Sequence, residues 1–238
     1  MAGSREKAWG EQKKFREGQA NQVLDDLFFH FIDIANKLKP KVIVAENVKG
    51  LVIGKAKGYV KQIYQAFELS GYDVQLFLLN SAFMGVPQKR ERTFFIARRK
   101  DLNLPKITMN FNEHIITLGN ATNGVERKTR KNVGKSIESA WRNVLPGESL
   151  SKGHEKGSLF SWIRCNYNAP TNTLTATPTL LAPDEPKLLS EAEYIRVQTF
   201  PDDYNFANTG IRYMCGMSVP PFMMQRVANQ IAKQLFNK

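Results

Sequence analysis

The sequence predicts an α/β fold, and three observations carry the prediction. Val42 to Ala45 form a short apolar run rich in β-branched residues, the composition of a strand buried on both faces of a parallel sheet. Residues 22–39 place Leu24, Leu27, Phe28, Phe31, Ala35 and Leu38 at helical spacing just before it. Residues 58–70 repeat that spacing just after it, with Val60, Ile63, Tyr64 and Phe67. Helices and strands that alternate along the chain define the class.

The elements follow in order. Residues 1–20 are polar and basic, carry Gly3, Gly10 and Gly18, and read as a loop. Pro40 stops the first helix, and Gly71 suits the position just past the end of the second. Val74 to Leu79 form the next strand, Asn80 to Arg92 a loop, and Thr93 to Ala97 a further strand. From Asp101 to about Tyr167 Gly, Asn, Thr and Lys dominate, and helical spacing survives only near Ser136–Trp141. That stretch reads as an insert or small subdomain, giving segments 1–100, 101–167 and 168–238. Ser190 with Glu193 three residues on is a capping box that opens a short helix through Val197. Phe200 to Tyr204 form a turn. Pro220 and Pro221 open a last helix with Val227, Ile231 and Leu235 on one face.

Composition narrows the functional classes. The 238 residues are 42% hydrophobic, enough for a core. No apolar run is long enough to span a bilayer, and the start shows no signal-peptide pattern. Cys165 and Cys215 lie far apart without a Cys-x-x-Cys, and His30, His114 and His154 are scattered, so no metal site is expected. A reduced cytoplasmic compartment fits this cysteine usage. Gly134-Lys135-Ser136 ends like a phosphate-binding loop, but Thr129 stands where that loop requires glycine. The net charge is +12, of which residues 1–100 hold +8. A basic first segment suits a polyanionic partner such as nucleic acid, whose binding would be weak and salt-sensitive, although charge of this size is also common on solubilised surfaces.

Two stretches carry chemistry. Glu46-Asn47-Val48 ends the first strand, and in open α/β sheets ligands bind beyond the carboxyl ends of strands. Taken alone, the tripeptide is equally a solvated acid at a strand end. In Gly85-Val86-Pro87-Gln88-Lys89-Arg90-Glu91-Arg92, the side chains of Gln88, Arg90 and Arg92 alternate and so share one face of an extended segment. An amide and two guanidiniums there could meet a phosphate or a base edge, or could simply form an exposed basic turn.

These two stretches are followed in order by Gln198-Thr199-Phe200-Pro201-Asp202-Asp203-Tyr204 and Gly216-Met217-Ser218-Val219-Pro220-Pro221. The series resembles the C-terminal motifs of the C5-cytosine DNA methyltransferase family, over roughly residues 20–100 and 170–238. The resemblance implies the C-terminal part of a Rossmann-like methyltransferase sheet, with 101–167 as a short target-recognition segment. It also implies restriction-modification chemistry, in which a methyl group passes from S-adenosylmethionine to C5 of a cytosine flipped out of double-stranded DNA. By the same resemblance Glu46 is the acid that serves cytosine N3, and Arg92 stabilises charge near O2. Arg90 supports the nucleophile and nearby backbone, Asn47 holds the loop after the strand, and Gln88 shapes the loop beside the DNA. Leu27 packs on the cofactor's adenine, and Ser218 lies beside its amino-acid end.

The sequence departs from the family pattern in three places. Met217 stands where the family has Asn. No Pro-Cys pair, the family's nucleophile, occurs, and the Phe-x-Gly-x-Gly cofactor turn is absent. Residues 2–20 resemble the family's loop after the nucleophile. The expectation is a chain that begins just after the catalytic cysteine, is inactive alone, and is complemented by a second chain with the N-terminal motifs. The helix at 22–39, the strand at 42–45 and the last helix should then present an open apolar face and promote a homo-oligomer. The alternative is a non-catalytic DNA-binding remnant, which Met217 favours and Glu46, Arg90 and Arg92 oppose.

Overall fold

The computed structural model describes residues 27–52 and 57–236. The loop expected over 1–20, the first turns of the helix at 22–39 and Gly54 lie outside the described residues. Along the chain run α1 (Leu27–Leu38), β1 (Val42–Val48), α2 (Lys57–Leu69), β2 (Tyr72–Asn80), β3 (Gln88–Lys89) and β4 (Glu91–Arg99). Next come α3 (Leu118–Ala121), β5 (Lys131–Asn132), α4 (Lys135–Arg142), β6 (Ile163–Arg164), β7 (Thr171–Asn172), β8 (Leu180–Leu181) and β9 (Lys187–Leu188). The chain closes with α5 (Glu191–Gln198), α6 (Ile211–Met217) and α7 (Pro221–Leu235). The result is a mixed α/β fold, divided into two compact units. One holds residues 1–79, 91–109 and 234–238, and the other residues 80–90 and 110–233.

The first unit is built on a three-stranded sheet in the order β1-β4-β2. β1 pairs antiparallel with β4 without interruption, from Val42 opposite Arg98 to Val48 opposite Arg92. This corrects the expectation of parallel neighbours. A continuous apolar run reports burial and carries no information about strand direction. Burial itself alternates: Ile43 and Ala45 are buried, whereas Val42 and Val44 are half-buried. α1 and α2 cover the sheet with Ile32 and Ala35 from one helix and Ile63 and Phe67 from the other, packed with Tyr72, Phe95 and Ala97. The Phe28 ring meets Phe95 edge-on, with centroids 5.2 Å apart. Tyr72 donates from its hydroxyl to the Pro40 carbonyl at 2.8 Å, which ties the start of β2 to the turn before β1. Gly71 has φ 86°, the left-handed conformation expected past the end of α2.

The second unit contains a four-stranded sheet in the order β5-β9-β8-β6 and a two-stranded parallel pair, β3 with β7. Its core gathers Leu118, Cys165, Leu174, Leu180, Leu189, Tyr194, Val197 and Cys215. A second cluster forms around Trp141, Val144, Leu150 and Leu181. The helical spacing near 136–141 is realised as α4. The Ser190 capping box is present with both of its hydrogen bonds. Glu193 also receives the buried guanidinium of Arg130, at 3.0 Å from Nε. A charge as deeply buried as Glu193 persists only when it is paired in this way. On α7, Val227, Ile231 and Leu235 are buried as their spacing predicted.

Among the described residues no helix is long and apolar enough to cross a membrane, and no group of three or more His, Cys, Asp or Glu side chains could hold a metal ion.

Candidate active site

The candidate residues fall into two groups, each within one unit. The first lies at the ends of β1 and β4. The antiparallel register sets Val48 opposite Arg92 and Asn47 opposite Thr93, so Glu46 and Arg92 come from adjoining strands close to the same end. Arg92 Nε approaches Glu46 Oε1 to 2.9 Å, and Arg92 also donates from Nη1 to the Glu91 carbonyl at 2.8 Å. Burial lowers the Arg92 guanidinium below its ordinary value, and the Glu46 carboxylate acts in the opposite sense. The pair is thus partly desolvated, where electrostatic attraction is stronger than in water. Asn47 turns its side-chain oxygen back to accept from Val48 N–H at 2.8 Å, which fixes the strand end. Beside this pair Lys49 donates to Glu91 at 2.7 Å, a second ion pair between the same two strand ends. Leu27, at the start of α1, is half exposed.

The second group is buried. Gln88, expected beside DNA, is fully buried and holds no face toward solvent. It donates from Nε2 to Gln198 Oε1 at 2.8 Å and accepts from Leu174 N–H at 3.0 Å. Arg90 is equally buried and donates from Nη1 to the Leu174 carbonyl at 2.8 Å and from Nη2 to the Gly216 carbonyl at 2.9 Å. The alternation of Gln88 and Arg90 does define a common face, but that face points into the protein. It binds backbone where the sequence left open a phosphate or a base edge. The reason is non-local: β3 is paired with β7, and the backbone of Leu174, just after β7, bonds both side chains.

Gln198 continues the chain of hydrogen bonds. Its Nε2 donates to the Ser218 carbonyl at 2.8 Å and to Ser218 Oγ at 2.9 Å. The Ser218 hydroxyl in turn donates to the Cys215 carbonyl at 3.3 Å. Three motifs separated in sequence are therefore one polar network, Gln88 to Gln198 to Ser218, buried at both glutamines and half-buried at Ser218, with every named amide used. Gly216 belongs to the same junction: a Cβ there would lie 2.2 Å from the Thr175 carbonyl carbon, so only glycine fits. Met217, one residue on, is about half exposed.

Sequence reasoning gave no role to Gln198 or Lys49. Gln198 could have been found from its place at the head of the Gln-Thr-Phe-Pro motif. Nothing in the sequence signals the Lys49–Glu91 pair.

Neither cysteine offers a nucleophile. Burial pushes both thiols up to about 12, and in Cys165 the nearby Glu193 adds to the effect. A thiol at that value is not a thiolate near neutral pH.

The chain is similar to several methyltransferases. A type II methyltransferase, M.NgoFVII of Neisseria gonorrhoeae, is 32% identical over 87% of this chain and 62% of its own length. M.FnuDI of Fusobacterium nucleatum is 29% identical over 97% of this chain and 75% of its own, and M.Sau96I of Staphylococcus aureus is 30% identical over 88% and 54%. The chain thus spans between about half and three quarters of the length of these relatives. Among solved structures, an E. coli prophage chain described as a DNA modification methyltransferase superposes with TM-score 0.71 at 19% identity, over 88% of this chain and 74% of that one. The Entamoeba histolytica methyltransferase EhMeth superposes with TM-score 0.62 at 14% identity, over 88% and 68%. These two likenesses establish a shared Rossmann-like methyltransferase fold. Residues 8–233 match the model of C-5 cytosine-specific DNA methylases from end to end of the ordered motif series, and the chain belongs to that family.

Proposed function

We propose that this chain carries the cytosine-activating part of an S-adenosylmethionine-dependent DNA (cytosine-5-)-methyltransferase. The observation that supports it most is the Glu46–Arg92 pair. Cytosine N3 and O2 are adjacent atoms on one edge of the ring. A carboxyl and a guanidinium already 2.9 Å apart can address both at once. When a nucleophile adds to C6, electron density moves onto N3 and O2. A proton shared with N3 by Glu46 and a hydrogen bond to O2 from Arg92 stabilise that density. In the free chain Glu46 faces Arg92, so Arg92 must turn toward O2 before Glu46 can serve N3.

Arg90 and Gln88 act as positioning residues in this reading. They hold the backbone at Leu174 and Gly216 and, through Gln198, the segment at Ser218. Asn47 holds the strand end that carries Glu46.

S-adenosylmethionine is the methyl donor of the family. Two residues here suit it in part: Leu27 offers an apolar surface for an adenine, and Ser218 a backbone at the amino-acid end. The Ser218 hydroxyl proton is committed to Cys215, and Met217 brings no polar group. Neither residue makes a cofactor site by itself, and each requires others to complete one.

The thiolate that attacks C6 is not among these 238 residues, since both cysteines are buried and neither follows a proline. Double-stranded DNA is the substrate partner, and a polypeptide with the Phe-x-Gly-x-Gly and Pro-Cys motifs is the protein partner. The test is methyl transfer from labelled S-adenosylmethionine to cytosine-rich duplex. The chain alone should give none, and the chain with such a polypeptide should give robust incorporation. Incorporation by the chain alone, or none by the pair, contradicts the proposal.

A further inference from the structure

At the ends of β1 and β4 one residue, Glu91, is held twice. Its carboxylate accepts from Lys49 Nζ at 2.7 Å. Its backbone carbonyl accepts from Arg92 Nη1 at 2.8 Å. Arg92 in turn approaches Glu46 to 2.9 Å. The contacts thus run from Lys49 through Glu91 to Arg92 and Glu46, all within the first unit.

The register explains why Glu91 needs a holder. The last ladder pair sets Val48 opposite Arg92, so Glu91 opens β4 just beyond the paired residues, where strand ends fray. Lys49 stands one step beyond Val48 and is itself anchored. It opens a tight 3-10 turn, Lys49–Leu51, and its carbonyl accepts from Val52 N–H at 3.1 Å. Leu51 pins that turn by its burial among the core residues of α1 and α2. A cation on a backbone fixed in this way holds its partner in place rather than following it.

For stability the pair matters little. The Lys49 and Glu91 side chains are 39% and 40% exposed, and exposed ion pairs contribute little to folding. Its weight lies in position. An unpaired Glu91 carboxylate would stand one residue from Arg92 and compete with Glu46 for the same guanidinium. Lys49 occupies that competitor and steadies the carbonyl on which Arg92 Nη1 rests.

We infer that Lys49 is a positioning residue for cytosine activation, which sets the orientation of Arg92 relative to Glu46 by holding Glu91. The inference rests on the roles proposed above for Glu46 and Arg92 and adds the residue that aligns them. In that reading Arg92 turns toward O2, and the Glu91 carbonyl is the point about which it turns.

The first test uses the free 238-residue chain. The Arg92 Nε–H signal in nuclear magnetic resonance, assigned through Arg92→Lys, reports the contact with Glu46 by its protection from solvent exchange. Lys49→Met should speed that exchange by at least about fivefold, while amide exchange over Ile43–Ala45 keeps the parent's rate. Lys49→Arg should restore protection. Lys49→Met/Glu91→Gln should exchange more slowly than Lys49→Met alone, because the competing carboxylate is gone. Unchanged Arg92 protection in Lys49→Met overturns the inference. Faster exchange over Ile43–Ala45 as well makes Lys49 a clasp on the sheet and overturns it too. So does a double variant that exchanges as fast as Lys49→Met.

The second test separates positioning from DNA contact. Duplex affinity of Lys49→Met should stay within about twofold of the parent's, with the same salt slope. A clear loss of affinity with a shallower slope makes Lys49 a phosphate contact and overturns the inference. In methyl transfer by the pair described above, Lys49→Met should lower kcat about tenfold with KM for DNA little changed, and Lys49→Arg should recover most of the loss. A raised KM with unchanged kcat overturns the inference. A pair that transfers no methyl group at all contradicts the proposed function, and the exchange measurements then still decide whether Lys49 aligns Arg92 with Glu46.

Discussion

Gln88 donates from Nε2 to Oε1 of Gln198 at 2.8 Å, across 110 residues of sequence. Gln198 in turn holds both the backbone and the hydroxyl of Ser218. The amide of Gln88 is thus the first link of a buried chain, with the protein interior on every side. Replacement by alanine strands the Gln198 oxygen and the Leu174 N–H. Each unsatisfied buried group costs about 1–3 kcal/mol. With two groups stranded, Gln88→Ala should lower the unfolding free energy by about 2–6 kcal/mol, measured by urea denaturation, while DNA affinity at a temperature where the variant is folded stays near the parent's. A variant of parental stability with weakened DNA binding would return Gln88 to the DNA surface.

Gly216 tests the same junction from the other side. An added Cβ would meet the Thr175 carbonyl carbon at 2.2 Å and the Ala176 nitrogen at 2.3 Å, both backbone atoms that cannot step aside. Overpacking of this kind costs about 1–3 kcal/mol. Gly216→Ala should lower the melting temperature and disturb the Arg90 contact to the Gly216 carbonyl. An unchanged melting temperature would show that the loop at 175–176 moves freely.

The acid limb of stability should come from carboxylates held by arginine. Hydrogen bonds from Arg226 hold Glu113 below its ordinary 4.5. Burial works against the charge of Asp184, but hydrogen bonds from Arg130 and Tyr167 outweigh it and hold that carboxyl below 3.8. A depressed carboxyl contributes stability that is fully present above its ordinary value and is lost as pH falls through the lower folded value. Stability should be flat between about pH 6 and 7 and fall progressively below about pH 4.5. Glu113→Gln and Asp184→Asn should each flatten part of that slope. Parental slopes in both variants would place the acid sensitivity elsewhere.

The two cysteines should behave as core residues. With both thiols buried and pushed up to about 12, neither should react with a thiol reagent at neutral pH until the chain unfolds. Fast labelling of either in the folded chain would reopen its candidacy as a nucleophile.

Much of this architecture was legible in the sequence. Helical spacing located α1, α2 and α7, and the pairing of Ser190 with Glu193 located the start of α5, because caps and periodicity are local properties. The motif series gave the family, and with it Glu46 and Arg92, which the structure brings together at 2.9 Å. What escaped was non-local. The alternation of Gln88 and Arg90 told which side chains share a face, but the side on which that face lies depends on β7 and α6, more than 80 residues away. The run Val42–Ala45 fixed a strand but not the direction of its neighbour. Short α6 escaped because it holds Gly216, chosen for close packing at the expense of helix propensity. The Arg130–Glu193 pair joins two segments with no sequence signal linking them.

The most direct measurement is single-turnover methylation by this chain reconstituted with a polypeptide that supplies the thiolate and the cofactor turn. Glu46→Gln keeps the size of the side chain and can still hydrogen-bond Arg92, but it cannot deliver a proton to N3. General acid–base catalysis is worth about a hundred- to ten-thousand-fold. The account predicts a loss in that range for Glu46→Gln, with Arg92→Ala falling between it and Gln88→Ala. If Glu46→Gln stays within about threefold of the parent while methylation is otherwise robust, Glu46 is not the acid and the reading of the β1 end is wrong.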